Sequence, residues 1–152
     1  MPADHWKDAG VLKEILPPET ARAHAALREL RPHLVDQDAF VAQVDDLQRP
    51  AGYRLVGAFE DGPDAVAVAG FRSGTNLAWG RFVYIDDLST LPAARGRGWG
   101  RALLDWVHAE AARLGCTQAH LDSGVGADRL TAHRLYFNSG YRITSHHFGR
   151  AV

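Results

Sequence analysis

The stretch Leu91-Pro92-Ala93-Ala94-Arg95-Gly96-Arg97-Gly98-Trp99-Gly100-Arg101 decides how this chain reads. Residues 78–90 before it have the pattern of a long strand. Behind it, Trp99, Leu103, Trp106, Val107, Ala111 and Leu114 recur at helical spacing, and Gly115 stands where a helix-ending glycine belongs. A strand running through a glycine-rich turn into a helix is a place where backbone N–H groups and the helix dipole favour an anion. Three glycines let the main chain approach a phosphate closely, and three arginines add charge at the rim. The plainer reading of the same residues is a turn with solvated arginines. A P-loop requires Lys-Ser/Thr after its last glycine, whereas Arg101-Ala102 stands here. A dinucleotide fingerprint requires Gly-x-Gly-x-x-Gly, whereas this turn reads Gly-x-Gly-x-Gly.

Working outward, residues 11–16 predict a first strand (β1) closed by Pro17-Pro18, followed by helices over 19–34 (α1) and 39–47 (α2, ended by Arg49-Pro50). Residues 53–59 (β2) and 65–71 (β3) flank the turn Glu60-Asp61-Gly62-Pro63-Asp64 and predict a hairpin. The strand at 78–90 is β4 and the helix from Trp99 is α3. Strand β5 is expected at 117–123, helix α4 over Leu130–Asn138 and a last strand, β6, at 141–148. The order β1-α1-α2-β2-β3-β4-α3-β5-α4-β6 is an α/β arrangement: a mixed central sheet of six to seven strands flanked by about four helices, with a βαβ crossover at β4-α3-β5. No repeat or linker divides it, so residues 1–152 read as a single domain.

Composition agrees. The 152 residues are 46% hydrophobic and 23% charged, near the averages for globular domains, which sets aside disordered and collagen-like classes. One cysteine, Cys116, excludes an internal disulfide framework and a multi-cysteine zinc site, and suits a reducing cytoplasm. No run of about 18 apolar residues occurs, and the N-terminal stretch carries acids where a signal peptide carries bases; a cytoplasmic chain without membrane attachment is expected. Net charge is −1, which argues against nucleic-acid binding through phosphate neutralisation. Residues 1–75 hold 8 bases and 12 acids, but residues 76–152 hold 9 bases and 6 acids, so an anionic ligand belongs with the second half.

Two motifs carry a resemblance. Arg95-x-x-Gly98-x-Gly100, preceded by Ile85-Asp86-Asp87-Leu88-Ser89-Thr90 and followed by an amphipathic helix, resembles the acetyl-CoA signature of the GNAT superfamily of N-acetyltransferases. Ala132-His133-Arg134-Leu135-Tyr136-Phe137-Asn138-Ser139-Gly140-Tyr141 is similar to that family's fourth-helix segment, Ala-x-x-x-Tyr-x-x-x-Gly-Phe/Tyr. The region from Ala132 to Phe148 also resembles the aminoalkylphosphonate N-acetyltransferase subset.

The resemblance implies a single GNAT-like domain that transfers acetyl from acetyl-CoA, its cosubstrate, to the primary amine of a small molecule, by direct attack without an acyl-enzyme. Protein acetylation and a non-catalytic acyl-CoA-binding domain are the alternatives. It implies that Arg95, Gly96, Arg97, Gly98, Trp99, Gly100 and Arg101 hold the pyrophosphate. The main chain of Leu88, Ser89 and Thr90 would pair with the pantetheine arm. By motif position Tyr136 is the acid that protonates the departing thiolate. Asp87, just before the leucine, is the expected base; Asp86 is the alternative, since strand alternation sends adjacent side chains to opposite faces. Relatives often carry asparagine where Arg129 stands, and a homodimer is a further expectation by analogy. The eight histidines show no His-x-x-x-His or His-Glu-x-x-His spacing, so no metal is expected, and His133, His146 and His147, with Arg134, are candidate contacts for an anionic acceptor.

Overall fold

A computed structural model describes residues 10–152, so the reading of the acidic N-terminal stretch falls on residues outside those described. One five-stranded sheet, in spatial order β1-β2-β3-β4-β5, forms the centre. Its strands are β1 (Val11–Ile15), β2 (Arg54–Phe59), β3 (Ala67–Asn76), β4 (Gly80–Thr90) and β5 (Gln118–Leu121). The first four pair antiparallel in sequence; β4 and β5 are parallel, joined through α3 (Trp99–Arg113). The remaining helices are α1 (His24–Leu30), α2 (Gln37–Ala42) and α4 (Leu130–Asn138).

Strand alternation divides the core in two. On one face Val56, Ala58, Ala67, Ala69, Phe71, Val83 and Ile85 pack against Leu103, Leu104 and Val107 of α3 and Tyr136 of α4. On the other, Leu55, Phe59 and Val68 meet Ala26 and Leu27 of α1 and Phe40 of α2. Each fully buried leucine in these layers contributes roughly 1.5–3 kcal/mol, which fixes the helices that carry the site to the sheet.

Three expectations need correction. The helix read over 19–34 is a 3₁₀ turn (Thr20–Ala23) followed by α1, which stops at Arg31 (φ −121°, ψ 77°) because the next residue, Pro32, disfavours the helical conformation before it. The helix read over 39–47 begins earlier, capped by the Asp36 carboxylate on the Ala39 N–H, and widens into a π-helical turn at Gln43–Gln48. The sixth strand at 141–148 does not form, so the described residues contain five strands rather than six to seven, and the element order ends at α4. The Tyr141 N–H bonds the Tyr136 carbonyl at 3.0 Å as part of the α4 terminus, and beyond it Ile143 and Phe148 stay 76% and 92% exposed. A strand there would have no apolar face to bury.

Candidate active site

Strands β4 and β5 run together only from Phe82–Gln118 to Ile85–Leu121. There β5 ends, while β4 continues five residues farther, still paired to β3 on its other side. The opening beside residues 86–90 exists because one parallel partner is shorter than the other. Two cavities fill it. The first, of about 280 Å³, lies between β4, the end of β5 and α1, and is lined by Arg31, Asp86, Asp122, Ser123, Asp128 and Tyr136 among others. The second, of about 450 Å³, runs over the glycine turn. Leu30, Leu88, Asp128, Arg129 and Tyr136 line both, so the two meet at Leu88 and Tyr136.

The larger cavity gathers most of the residues expected at the cofactor: Leu88, Ser89, Thr90, Arg95, Gly96, Gly98, Trp99, Gly100 and Arg101 all line it. Gly96 (φ +78°) and Gly98 (φ +83°) adopt left-handed backbone, and a Cβ on either would meet nothing within 4 Å, so the turn's outer side is open to an incoming group. Gly98 immediately precedes α3, whose first N–H groups therefore face that space unpaired. The residues fit a pyrophosphate. Arg95 reaches the Thr90 carbonyl at 3.3 Å and Glu29 at 3.4 Å, and Arg101 reaches Asp105 at 3.2 Å; both side chains stay more than half exposed at the rim.

Arg97 goes elsewhere. It is ion-paired with Glu60 of the β2–β3 hairpin, whose other oxygen accepts from Trp99 Nε1 at 2.8 Å. These two bonds, that from Trp99 the larger influence, hold the Glu60 carboxyl below its usual range. Glu60 thus ties the turn to the hairpin, a role no sequence signal announces, since it lies 37 residues from Arg97.

Tyr136 is buried, 8% exposed, on the inner face of α4. Burial raises the phenol above its ordinary pKa, and the charge and hydrogen bond of Arg129 pull it back. The two aspartates depart from strict alternation. Phe71 pairs with Ile85 and Gly70 with Asp87, leaving Asp86 as the extra residue of a β-bulge. Ile85 and Leu88, three apart, consequently pack in the same core layer, while Asp87 bonds Arg31 at the end of α1 and Asp86 bonds Arg72 of β3. Asp86 lines the smaller cavity and pairs with Arg72 at 2.9 Å; burial raises its pKa, against the pull of Arg72. Asp87 does not line it. Its two oxygens accept from Arg31 Nε at 3.0 Å and Tyr53 Oη at 2.7 Å.

His133 bonds the Gly124 carbonyl at 2.7 Å, His147 lies 3.2 Å from Asp122, and His146 is exposed.

A GNAT-family acetyltransferase model matches residues 19–141, most of the chain, and the chain belongs to that family; it is an acetyltransferase. It is similar to the uncharacterised N-acetyltransferase YhdJ of Bacillus subtilis, 29% identical over 136 residues that span 88% of this chain and 92% of that one. A 68-residue stretch is 34% identical to the aminoalkylphosphonate N-acetyltransferase of Salmonella typhimurium, covering 45% of this chain and 43% of that protein. The fold resembles the aminoglycoside N-acetyltransferase AAC(6')-Iy solved in complex with CoA, with a TM-score of 0.76 at 15% identity over 93% of each chain. Among the described residues no helix is long and apolar enough to cross a membrane.

Proposed function

We propose that the protein transfers acetyl from acetyl-CoA to a small primary amine, the two substrates approaching through the two cavities that meet at Leu88 and Tyr136. That junction carries the reading: a groove floored by open backbone N–H groups on one side, a carboxylate-lined chamber on the other, and one buried phenol between them. Acetyl-CoA supplies a thioester whose carbonyl carbon accepts the amine. In this reading Asp86 rather than Asp87 takes the ammonium proton, directly or through one water, since Asp86 lines the smaller cavity and Asp87 does not. The burial-raised pKa of Asp86 narrows the gap to an amine. As the new C–N bond forms and the C–S bond breaks, Tyr136 donates its proton to the sulfur, and the second proton shed by the acylated nitrogen restores the phenol. Arg129 stabilises the resulting phenolate, which offsets part of what burial does to the acid. The main chain of Leu88, Ser89 and Thr90, which lies past the end of β5 and so has no strand beside it there, holds the pantetheine arm as a strand holds a peptide, with Arg95 giving up its bond to the Thr90 carbonyl where the arm needs it. A homodimer would use the unpaired outer edge of β5.

The test is thiol release from acetyl-CoA over a panel comprising 2-aminoethylphosphonate, a neutral amine of equal length, a polyamine, an aminoglycoside and peptides with free N-termini, with products weighed by mass spectrometry. Acetylation of a small amine supports the reading. Release with peptides alone turns it to protein acetylation, and cofactor binding without release turns it to a binding domain.

A further inference from the structure

Asp87 is excluded from the acceptor chamber by the company it keeps, and that company has a geometry of its own. Arg31, at the C-terminal end of α1, donates Nε to Asp87 Oδ1 and Nη2 to the Asp86 carbonyl oxygen, both at 3.0 Å. One guanidinium therefore holds a side chain and a main-chain oxygen of consecutive residues, on either side of the peptide unit where β4 bulges. From below, Tyr53 donates its hydroxyl to Asp87 Oδ2 at 2.7 Å. Tyr53 is 5% exposed, and its ring lies across β3 at Gly70, the cross-strand partner of Asp87. A Cβ at Gly70 would stand 1.8 Å from the Tyr53 hydroxyl oxygen, so glycine is the residue that lets the phenol through.

A bulge leaves its extra residue without a ladder partner, and such a residue needs other contacts to settle its direction. The neighbours Ile85 and Leu88 are fixed by core packing, but among the described residues the Asp86 side chain between them bonds only Arg72, itself 46% exposed. What keeps its backbone in place is the pair of bonds from Arg31 and the anchoring of Asp87 by Tyr53.

We infer that Arg31, Tyr53 and Asp87 form a clamp that locks the β4 bulge and so directs Asp86 into the acceptor chamber, making all three positioning residues for proton transfer. The inference rests on the reading of Asp86 as base. Gly70 completes the clamp by giving Tyr53 its passage. Because a displacement of about 1 Å at a reacting group costs up to about 10²-fold in rate, loosening the clamp slows chemistry without touching the glycine turn, which lies beyond Thr90.

The experiment compares pH–rate profiles of wild type, Tyr53→Phe, Arg31→Ala, Arg31→Lys and Asp86→Asn, using acetyl-CoA and the best amine from the panel. The groups facing Asp86 that enter such a profile are Arg72 on β3, Asp87 and Tyr84 on β4, Tyr53 beneath the sheet, Arg31 at the end of α1, and, across the chamber, Asp122, Asp128, Arg129 and Tyr136. Tyr53→Phe and Arg31→Ala should lower kcat roughly 10- to 100-fold, keep the acetyl-CoA KM within about twofold of wild type, and displace the acidic limb of kcat; Arg31→Lys should recover part of the loss. Arg31 is 44% exposed, so its variants fold even where Tyr53→Phe does not. Wild-type kcat and an unmoved acidic limb in both Arg31 variants would overturn the clamp. If that occurs while Asp86→Asn is crippled, the base assignment stands and only the clamp fails; a fully active Asp86→Asn removes both.

Discussion

Asp86 is held where its ionised form is disfavoured. Burial is the dominant cause, and Arg72 only partly opposes it, so the folded-state pKa lies above the usual carboxylate value. A carboxyl whose pKa is raised on folding stabilises the native state below its unfolded pKa, near 4, and that contribution disappears as pH rises through the folded value. At neutral pH, therefore, Asp86 works against folding. Asp86→Asn is expected to raise Tm at pH 7, with the gap to wild type closing as pH falls toward about 4, while kcat drops by about 10²-fold or more; calorimetry and steady-state kinetics on the same preparations check both. Tyr136→Phe should lower kcat by a similar roughly 10²-fold and leave acetyl-CoA affinity intact, since the ring still packs between α4 and the sheet and only the proton is lost. Because burial keeps that phenol above its ordinary range, wild-type kcat should show no loss from Tyr136 ionisation below about pH 10. A descending limb near neutrality that vanishes in Tyr136→Phe would contradict the acid role.

The turn between β4 and α3 and the contact of α3 with α4 set the groove. Gly98 precedes α3 at φ +83°, and a Cβ there meets nothing within 4 Å, but valine forces left-handed backbone on a branched residue. That costs about 1–2 kcal/mol and puts two methyl groups into the space a phosphate would take. Gly98→Val should abolish the acetyl-CoA-induced rise in Tm. Gly100 is different: a Cβ there would stand 3.0 Å from Leu135 Cδ2, so Gly100→Val pushes against α4, one residue from Tyr136, and should impair kcat as well as KM. Glu60 ties this turn to the β2–β3 hairpin through Arg97 and Trp99. Glu60→Ala should raise the acetyl-CoA KM several-fold with kcat nearly unchanged, the pattern of lost ground-state positioning.

For the molecule taken together, a ligand that binds only the folded state stabilises it by RT ln(1 + [L]/Kd), about 2.7 kcal/mol at a hundredfold excess over Kd. In a chain of this size that corresponds to a rise of roughly 5–11 °C in Tm, which scanning calorimetry with acetyl-CoA measures directly. No rise at saturating acetyl-CoA would mean that the folded chain does not bind it. Both sheet faces are covered by helices, but among the described residues no strand pairs with the outer edge of β5, and the tail beyond Tyr141 exposes Ile143, Phe148 and Val152. Sedimentation of the full chain and of a chain ending at Tyr141 tests the homodimer: a dimer lost on truncation supports pairing through this edge, and a monomeric full chain removes it.

What could be read along the chain was whatever rests on contacts between near neighbours. The path β4–turn–α3 and the span of α4 follow from glycines in left-handed backbone, helical periodicity and a terminating Gly115 at φ +76°, and each of these is local. The same locality made the turn glycines legible as a candidate anion site, whereas Tyr136 was a candidate only through the resemblance of its segment to the family's fourth-helix motif. The face chosen by each aspartate was not legible, because alternation assumes a regular strand and the bulge at Asp86 arises from how β3 and β4 pair. Nor was Asp87's engagement with Arg31, 56 residues away, or that of Arg97 with Glu60. The strand expected at 141–148 has apolar residues and no surface to cover with them, since a strand exists only through a partner's hydrogen bonds and a face to bury. Period and turn chemistry are properties of a segment, whereas side-chain partners, strand register and the opening between β4 and β5 depend on which segments the packed core brings side by side.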